Sequence, residues 1–439
     1  MTASPEHPPR TPKKLLTAAL IASSIEWYDF FIYATAAALV FGTTFFPDAT
    51  PLIGVLLSFA TFWAGFIARP IGGLFFGHLG DRIGRKPAVV TCLILMGLST
   101  FLIGVLPGAA TIGVAAPLLL VTLRFLQGIA VGGQWGGIVL LLTESTTGGK
   151  RGMAGTFGQM GVPFGVISGN LAFLGIGALL GPEAFASWGW RLPFLFSAVL
   201  APVVLYIQLK IEDTPVFQEL QEHKERKEQQ VVKAPLLEVV REHKRSVLLG
   251  AGLLFATNTF FYIGISGLLD YGTRELGLPR QWLLGVTLLS SLVGIFVIFY
   301  SGSLSDRLGR RPMILAGAGM LAIWAFPFFW LIDTGSIWLI AFATVVGTVG
   351  QSMTYGPVAA YLSELFEPRV RYSGASLAYQ LAAILVSGGT PFIMTALLAA
   401  TGTSASVSLF LFLMAVCTLV SAYLLRETRV GEPRSKATV

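Results

Sequence analysis

Two cysteines and four histidines in 439 residues leave almost nothing with which to build a disulfide framework or a metal cluster. Cys92 and Cys417 stand far apart inside apolar runs, where each is expected to act as a small buried hydrophobe. His7, His223 and His243 fall in polar stretches and read as solvated surface side chains, and His78 sits at a loop edge. No HExxH, GxSxG or nucleotide P-loop occurs, so the chain lacks the usual carriers of intramembrane or soluble enzyme chemistry, and neither an enzyme nor a bound cofactor or metal is expected. Charge is also scarce. Only 12% of residues are charged against 54% hydrophobic, and the mean hydropathy is +0.73, a balance that excludes a soluble multidomain protein. The formal net charge of +7 comes from short basic runs between apolar segments, where it reports membrane orientation and no nucleic-acid partner. The polar, proline-rich residues 1–14 precede an apolar run too long for a signal-peptide core, so no cleaved leader is expected.

What the chain does have is apolar length. Spans are predicted near 15–46, 52–76, 88–107, 116–146, 153–181 and 190–210, then near 246–273, 281–303, 313–333, 336–364, 373–400 and 404–426. About 20 apolar residues cross a bilayer. Twelve such segments with short connections predict an all-α integral membrane protein, with nothing polar to cover them in water. The stretch 211–245 changes composition abruptly and reads as a solvated helix of alternating charge. The expected organisation is therefore a tail (1–14), a six-helix bundle (15–210), a central loop (211–245), a second six-helix bundle (246–426) and a second tail (427–439). Lys and Arg concentrate in the tails and in alternate loops, while the opposite loops hold Arg274 and Arg280, which places both termini and the central loop in the cytoplasm.

The halves repeat. Gly77-His78-Leu79-Gly80-Asp81-Arg82-Ile83-Gly84-Arg85-Lys86-Pro87 recurs as Gly302-Ser303-Leu304-Ser305-Asp306-Arg307-Leu308-Gly309-Arg310-Arg311-Pro312. Glu144 precedes Arg151 as Glu364 precedes Arg371, by seven residues each. Two echoes at matching places imply two bundles related by a pseudo-twofold axis along the membrane normal, an architecture suited to rocking about a central site. Asp81 and Asp306 can meet helix N-termini or basic residues of the opposite bundle, and Arg82, Arg85, Arg307 and Arg310 can reach Glu144 and Glu364.

Glu26 and Asp29 lie deep inside the first apolar run, one helical turn apart. An ionised side chain at mid-membrane costs at least about 2.5–3.5 kcal/mol, so the pair calls for a partner, a proton or both. Arg124, on a helix running the other way, comes out at the same depth at ~1.5 Å per residue, and its fork matches a carboxylate. Asp29, Glu26 and Arg124 are therefore the candidate proton-coupling set. On this reading protonation of Asp29 releases Arg124 to a substrate carboxylate. Glu26 can relay the proton inward or pair with Arg69, although Arg69 is expected rather to snorkel to the headgroups. Arg124, Gln127, Val131, Gln134 or Trp135, and Ile138 recur on one helical face that should line the cavity, while the neighbouring glycines read as close helix packing. Tyr28, Tyr33 and Gln159 are further candidate contacts. The second half offers neutral groups in place of an Asp29 or Arg124, namely Asn258, Tyr262, Gln351, Tyr355, Tyr379 and Gln380.

At these residues the sequence resembles the major facilitator superfamily, whose G-x-x-x-D-R-x-G-R-[KR] signature stands in each half. It also looks like the metabolite:proton symporter branch through Ile25-Glu26-Trp27-Tyr28-Asp29-Phe30, Ala68-Arg69-Pro70, Arg124-Phe125-Leu126-Gln127-Gly128 and Val370-Arg371-Tyr372-Ser373-Gly374. The resemblance implies proton-driven import of a small metabolite such as shikimate or another organic acid, by a functional monomer in a bacterial-type inner membrane. It also implies that Asp81, Arg82, Arg85, Glu144, Asp306, Arg307, Arg310, Glu364 and Arg371 form a cytoplasmic gate. The branch commonly has Gly-Gly-Glu-Trp-Gly-Gly where this chain has Gly132-Gly133-Gln134-Trp135-Gly136-Gly137, and Gln134 cannot titrate. Either the first helix carries the coupling or the transporter is altered. A drug or metabolite antiporter and a proline/betaine symporter are the competing readings.

Overall fold

The structure is a computed structural model and describes residues 13–83, 85–132, 151–212, 239, 241–367 and 370–428. Among these residues there are twelve long helices. In the first half they are α1 (Lys13–Leu39), α2 (Pro51–Ile83), α3 (Arg85–Val105), α4 (Ala115–Gly132), α5 (Arg151–Ser187) and α6 (Leu192–Glu212). In the second they are α7 (Lys244–Arg274), α8 (Arg280–Leu308), α9 (Arg310–Ile332), α10 (Ile337–Leu365), α11 (Arg371–Ala382 continued by Ala383–Ser387 and Thr390–Thr401) and α12 (Ala405–Leu424). Ten of the described helices are long and apolar enough to cross a membrane. The apolar runs fix these positions, since in hydrocarbon a helix satisfies its backbone groups internally.

The packing repeats with the sequence. Pairs α1/α5, α2/α4, α3/α6 and α3/α4 recur as α7/α11, α8/α10, α9/α12 and α9/α10. The halves meet through α5/α8 and, at the symmetry-equivalent place, α2/α11, with α1/α7 and α5/α10 beside them. Glycines set the closest of these approaches. A Cβ built on Gly128 of α4 would sit 2.0 Å from the Gly65 carbonyl oxygen of α2, and one on Gly72 would sit 1.9 Å from that of Ile129. Gly128→Ala must push the two helices apart at about 1–3 kcal/mol, and a lowered thermal unfolding midpoint in detergent is the expected result.

The repeated loop motif acquires a physical reason here. Gly309 takes φ +110° between α8 and α9, a region that favours glycine. Gly302 lets α8 press on α5, its Cβ position lying 2.1 Å from the Thr156 methyl.

Two helices depart from the continuous spans expected. α7 turns after Gly252 and carries a π turn at Ile263–Gly267, while α11 carries one at Ala383–Ser387. Such inserted turns are frequent at functional sites. Cys417 also differs from expectation, lying exposed on α12 while Cys92 is buried. A helix that faces lipid on one side exposes every residue of that stripe, however apolar.

Candidate functional site

The two π turns border a cavity between the halves, lined from the first by Trp27, Phe66 and Arg69 and from the second by Asn258, Tyr262, Gln351, Tyr355, Tyr379 and Ser387. Arg69 does not snorkel. It is 2% exposed, and its guanidinium stacks 4.2 Å from the Phe66 ring centroid, 4.6 Å from Phe30 and 5.9 Å from Trp27. Its Nε and Nη2 atoms are buried without a hydrogen-bond acceptor. The aromatic residues that fold over it come from one face of α2 and the adjoining face of α1, so the cation is turned inward between the bundles.

Arg124 is fully buried, and its Nη1 donates to Gln127 Oε1 at 2.6 Å. Its cation lies 4.2 Å from the Tyr33 ring centroid, 4.3 Å from Phe30 and 4.8 Å from Phe62. The direct Asp29–Arg124 ion pair expected from sequence is not formed. The Asp29 carboxylate, 5% exposed, accepts from the Ser197 hydroxyl of α6 and lies beside Thr100 of α3. Gln127 stands between the two groups, donating to Thr100 Oγ1 at 2.8 Å and to the Asp29 backbone oxygen at 3.4 Å. Arg124 therefore sits one helical turn away from the depth counted along the sequence. At the level of Asp29, α4 presents Gln127, and Arg124 sits a turn further along against Tyr33.

The other expected contacts divide. Asn258, Tyr262, Gln351, Tyr355 and Tyr379 line the cavity. Asn258 Nδ2 donates to Ser387 Oγ at 2.8 Å, joining α7 to α11, and Gln351 Nε2 donates to Thr257 Oγ1 at 3.0 Å. Arg124, Gln127, Tyr28, Tyr33, Gln159 and Gln380 are not among the lining residues. Most of them are engaged between helices: the Tyr28 hydroxyl donates to the Pro193 carbonyl at 2.9 Å, Tyr33 shares a 2.7 Å bond with Thr61, and Gln159 Nε2 donates to the Tyr355 carbonyl at 3.3 Å. Gln380 is buried. Glu26 is half-buried a turn from Asp29. Gln134, Trp135 and Glu144, with the side chains of Asp81, Arg82 and Arg85, lie outside the described residues.

At one end of the cavity, α8 of the second half caps α5 of the first. Asp306 accepts from the backbone N–H groups of Gly152 at 2.9 Å and Met153 at 3.0 Å, where the helix dipole favours an anion. Arg310, 2% exposed, donates to Asp306 at 2.7 Å and grips Glu364 through Nε at 3.3 Å and Nη2 at 3.2 Å. Arg307 is exposed and Arg371 half-buried. No sequence motif marks Glu427, whose carboxylate accepts from the Arg310 and Arg311 N–H groups at 2.9 and 3.0 Å and caps α9 as Asp306 caps α5.

Towards the other end, Trp63 of α2 reaches the π turn of α11. There Gly388 N–H bonds back to the Ala383 carbonyl at 3.1 Å, and the Ile384 carbonyl accepts the Trp63 indole N–H at 2.8 Å. Gly388 and Gly389 leave room for the ring, since a Cβ on Gly388 would lie 2.6 Å from Trp63 Cδ1. Trp63→Phe removes one such bond, worth about 0.5–1.5 kcal/mol. A cysteine placed at Ser291 in the cavity wall is expected to react with a membrane-impermeant thiol reagent about 2–10 times faster in that background.

The chain matches the Major Facilitator Superfamily over residues 19–388. It is 42% identical over 422 residues to the inner membrane metabolite transport protein YhjE of Escherichia coli K12, covering 95% of this chain and 94% of that one. The shikimate transporter of the same organism is 36% identical over 407 residues, with 92% of each covered, and its proline/betaine transporter is 32% identical over 430 residues, with 97% and 85% covered. Among solved structures, the D-xylose-proton symporter superposes with a TM-score of 0.72 at 18% identity over 95% of this chain and 99% of its own, a likeness of fold.

Proposed function

Because the chain belongs to the major facilitator superfamily and is thus a multi-pass membrane transporter of small substrates rather than an enzyme, we propose that it is a proton-coupled importer of a small organic acid, working by alternating access in a bacterial inner membrane. The observation that carries this reading is Asp29, a buried carboxylate held by neutral hydroxyls and next in sequence to Phe30, the ring on which the two buried cations Arg69 and Arg124 both stack. A carboxylate without a salt bridge in a dry interior is suited to take up and release a proton. Thr100 and Gln127 link it to Arg124, so its charge state is felt by the arginine through a hydrogen-bonded chain in place of direct release. Glu26, a turn nearer the basic end, is the relay towards the cytoplasm.

By the distribution of Lys and Arg, both termini and the Asp306 cluster face the cytoplasm. The cap of Asp306 on α5, with Arg310, Glu364 and Glu427, is then the inner latch, and Trp63 on α11 belongs to the outer closure. No cofactor is needed, since the proton gradient supplies the work. A second reading, a betaine-type osmolyte, is favoured by the aromatic wall of Trp27, Phe66, Tyr262, Tyr355 and Tyr379, which suits a quaternary ammonium.

Purified protein in liposomes with acid outside tests both. Shikimate, benzoate, proline and betaine are offered in turn, and inward accumulation that collapses with a protonophore is the expected outcome for at least one. Outward flux against the proton gradient would turn the proposal into an antiporter.

A further inference from the structure

We propose that the guanidinium of Arg69 anchors a single carboxylate of the transported molecule, gripping it side-on through Nε–H and Nη2–H, and that the cavity therefore selects monocarboxylates over di- and tricarboxylates. This rests on the organic-acid reading above and narrows it. An arginine stays charged, yet the ion pairs found among the described residues include none to Arg69. Aromatic rings cover the faces of the guanidinium, so its edges alone remain for hydrogen bonding. The two nitrogens without an acceptor share one edge, the side-on edge, which can offer a carboxylate two parallel bonds. Arg124 has the same two atoms unmatched but does not line the cavity.

Arg69 is the one charged side chain among the described residues lining this space. Opposite it stand neutral groups, the Tyr262, Tyr355 and Tyr379 rings with Asn258 and Gln351. A molecule with one carboxylate can place its hydroxyls or its aliphatic body against that wall. A second carboxylate would be stranded there without a cation, a desolvation cost that no contact offsets.

The test is binding, read as the ligand-dependent rise in thermal unfolding midpoint of the purified protein, so it does not depend on proton coupling. The probes are shikimate, benzoate, glycine betaine, the methyl ester of shikimate, 2-oxoglutarate and citrate. At least one of the first three should bind to the wild type at least 10-fold more tightly than the two polycarboxylates, and the ester should bind at least 10-fold more weakly than shikimate if shikimate binds. Arg69→Gln should lose that binding at least 10-fold and Arg69→Lys should recover part of it, while the unliganded midpoint reports whether each variant folds. Stabilisation by betaine but not by the hydroxy acid or benzoate would assign the remainder of the ligand as a quaternary ammonium with the anchor unchanged. Equal binding by Arg69→Gln, preference for citrate or 2-oxoglutarate, or no binding by any monocarboxylate would overturn the proposal. Arg69-dependent binding without pH-driven accumulation would leave the anchor standing and remove the proton-coupled import reading.

Discussion

Asn in place of Asp29 is expected to abolish uphill accumulation while leaving exchange of substrate across the membrane. Asn has nearly the same shape and can still accept from the Ser197 hydroxyl, so the packing of α1 against α6 is preserved and only the titrating proton is lost. With one proton per substrate, a gradient of two pH units supports an accumulation of about 100-fold. The variant should fall to an inside-to-outside ratio of about 1 by the same arithmetic. The sign with pH follows from the proton being a co-substrate: wild-type uptake should decline as external pH rises, and exchange by Asp29→Asn should be indifferent to pH over that range. Liposomes loaded with labelled substrate report both quantities. Wild-type accumulation by the variant would move the coupling to Glu26 or elsewhere.

The second large effect lies at the junction of α8 and α9. Arg310→Met is expected to open the inner latch. Arg310 is buried and holds Asp306 at 2.7 Å and Glu364 at 3.2 Å. Removing it leaves two carboxylates in a poorly solvated interface, a loss of about 3–5 kcal/mol when one partner of a buried pair is deleted. Taken wholly by the state in which Asp306 caps α5, that corresponds to a shift of about 10²–10⁴ towards the state open at that end. Thr156, buried where α5 crosses α8, supplies the reporter. A cysteine there should be protected in the parent protein and labelled rapidly from the cytoplasmic side in the Arg310→Met background. Unchanged protection would mean that the Asp306 cap on the α5 N-terminus holds the halves together without its arginine.

These two residues show how differently a single chain encodes its parts. Asp306 and Arg310 stand out in the sequence because their motif occurs twice at fixed spacing, and the structure gathers them into one buried polar cluster with Glu364. Asp29 was legible because a carboxylate in a long apolar run has no cheap explanation. Its partner was misassigned by one helical turn. Depth along a helix can be counted from sequence, but a count that starts from an uncertain helix end carries that uncertainty to every residue on it. Tyr28 and Tyr33 were misread for a related reason, since a polar tip in a spanning helix serves equally to tie helices together.

The sequence alone determined the twelve spans, the twofold repeat, the presence of buried charge and the kinship of the chain. The spans, the repeat and the buried charge follow from composition and periodicity, which act locally and need no knowledge of neighbours, and the kinship follows from the motifs. Tertiary structure alone decided that Arg69, not Arg124, faces the cavity, that π turns in α7 and α11 border it, and that Glu427 reaches back to cap α9. Each of these depends on which way a side chain or carbonyl points once helices distant in sequence have packed, and that direction is set by the partners across the interface.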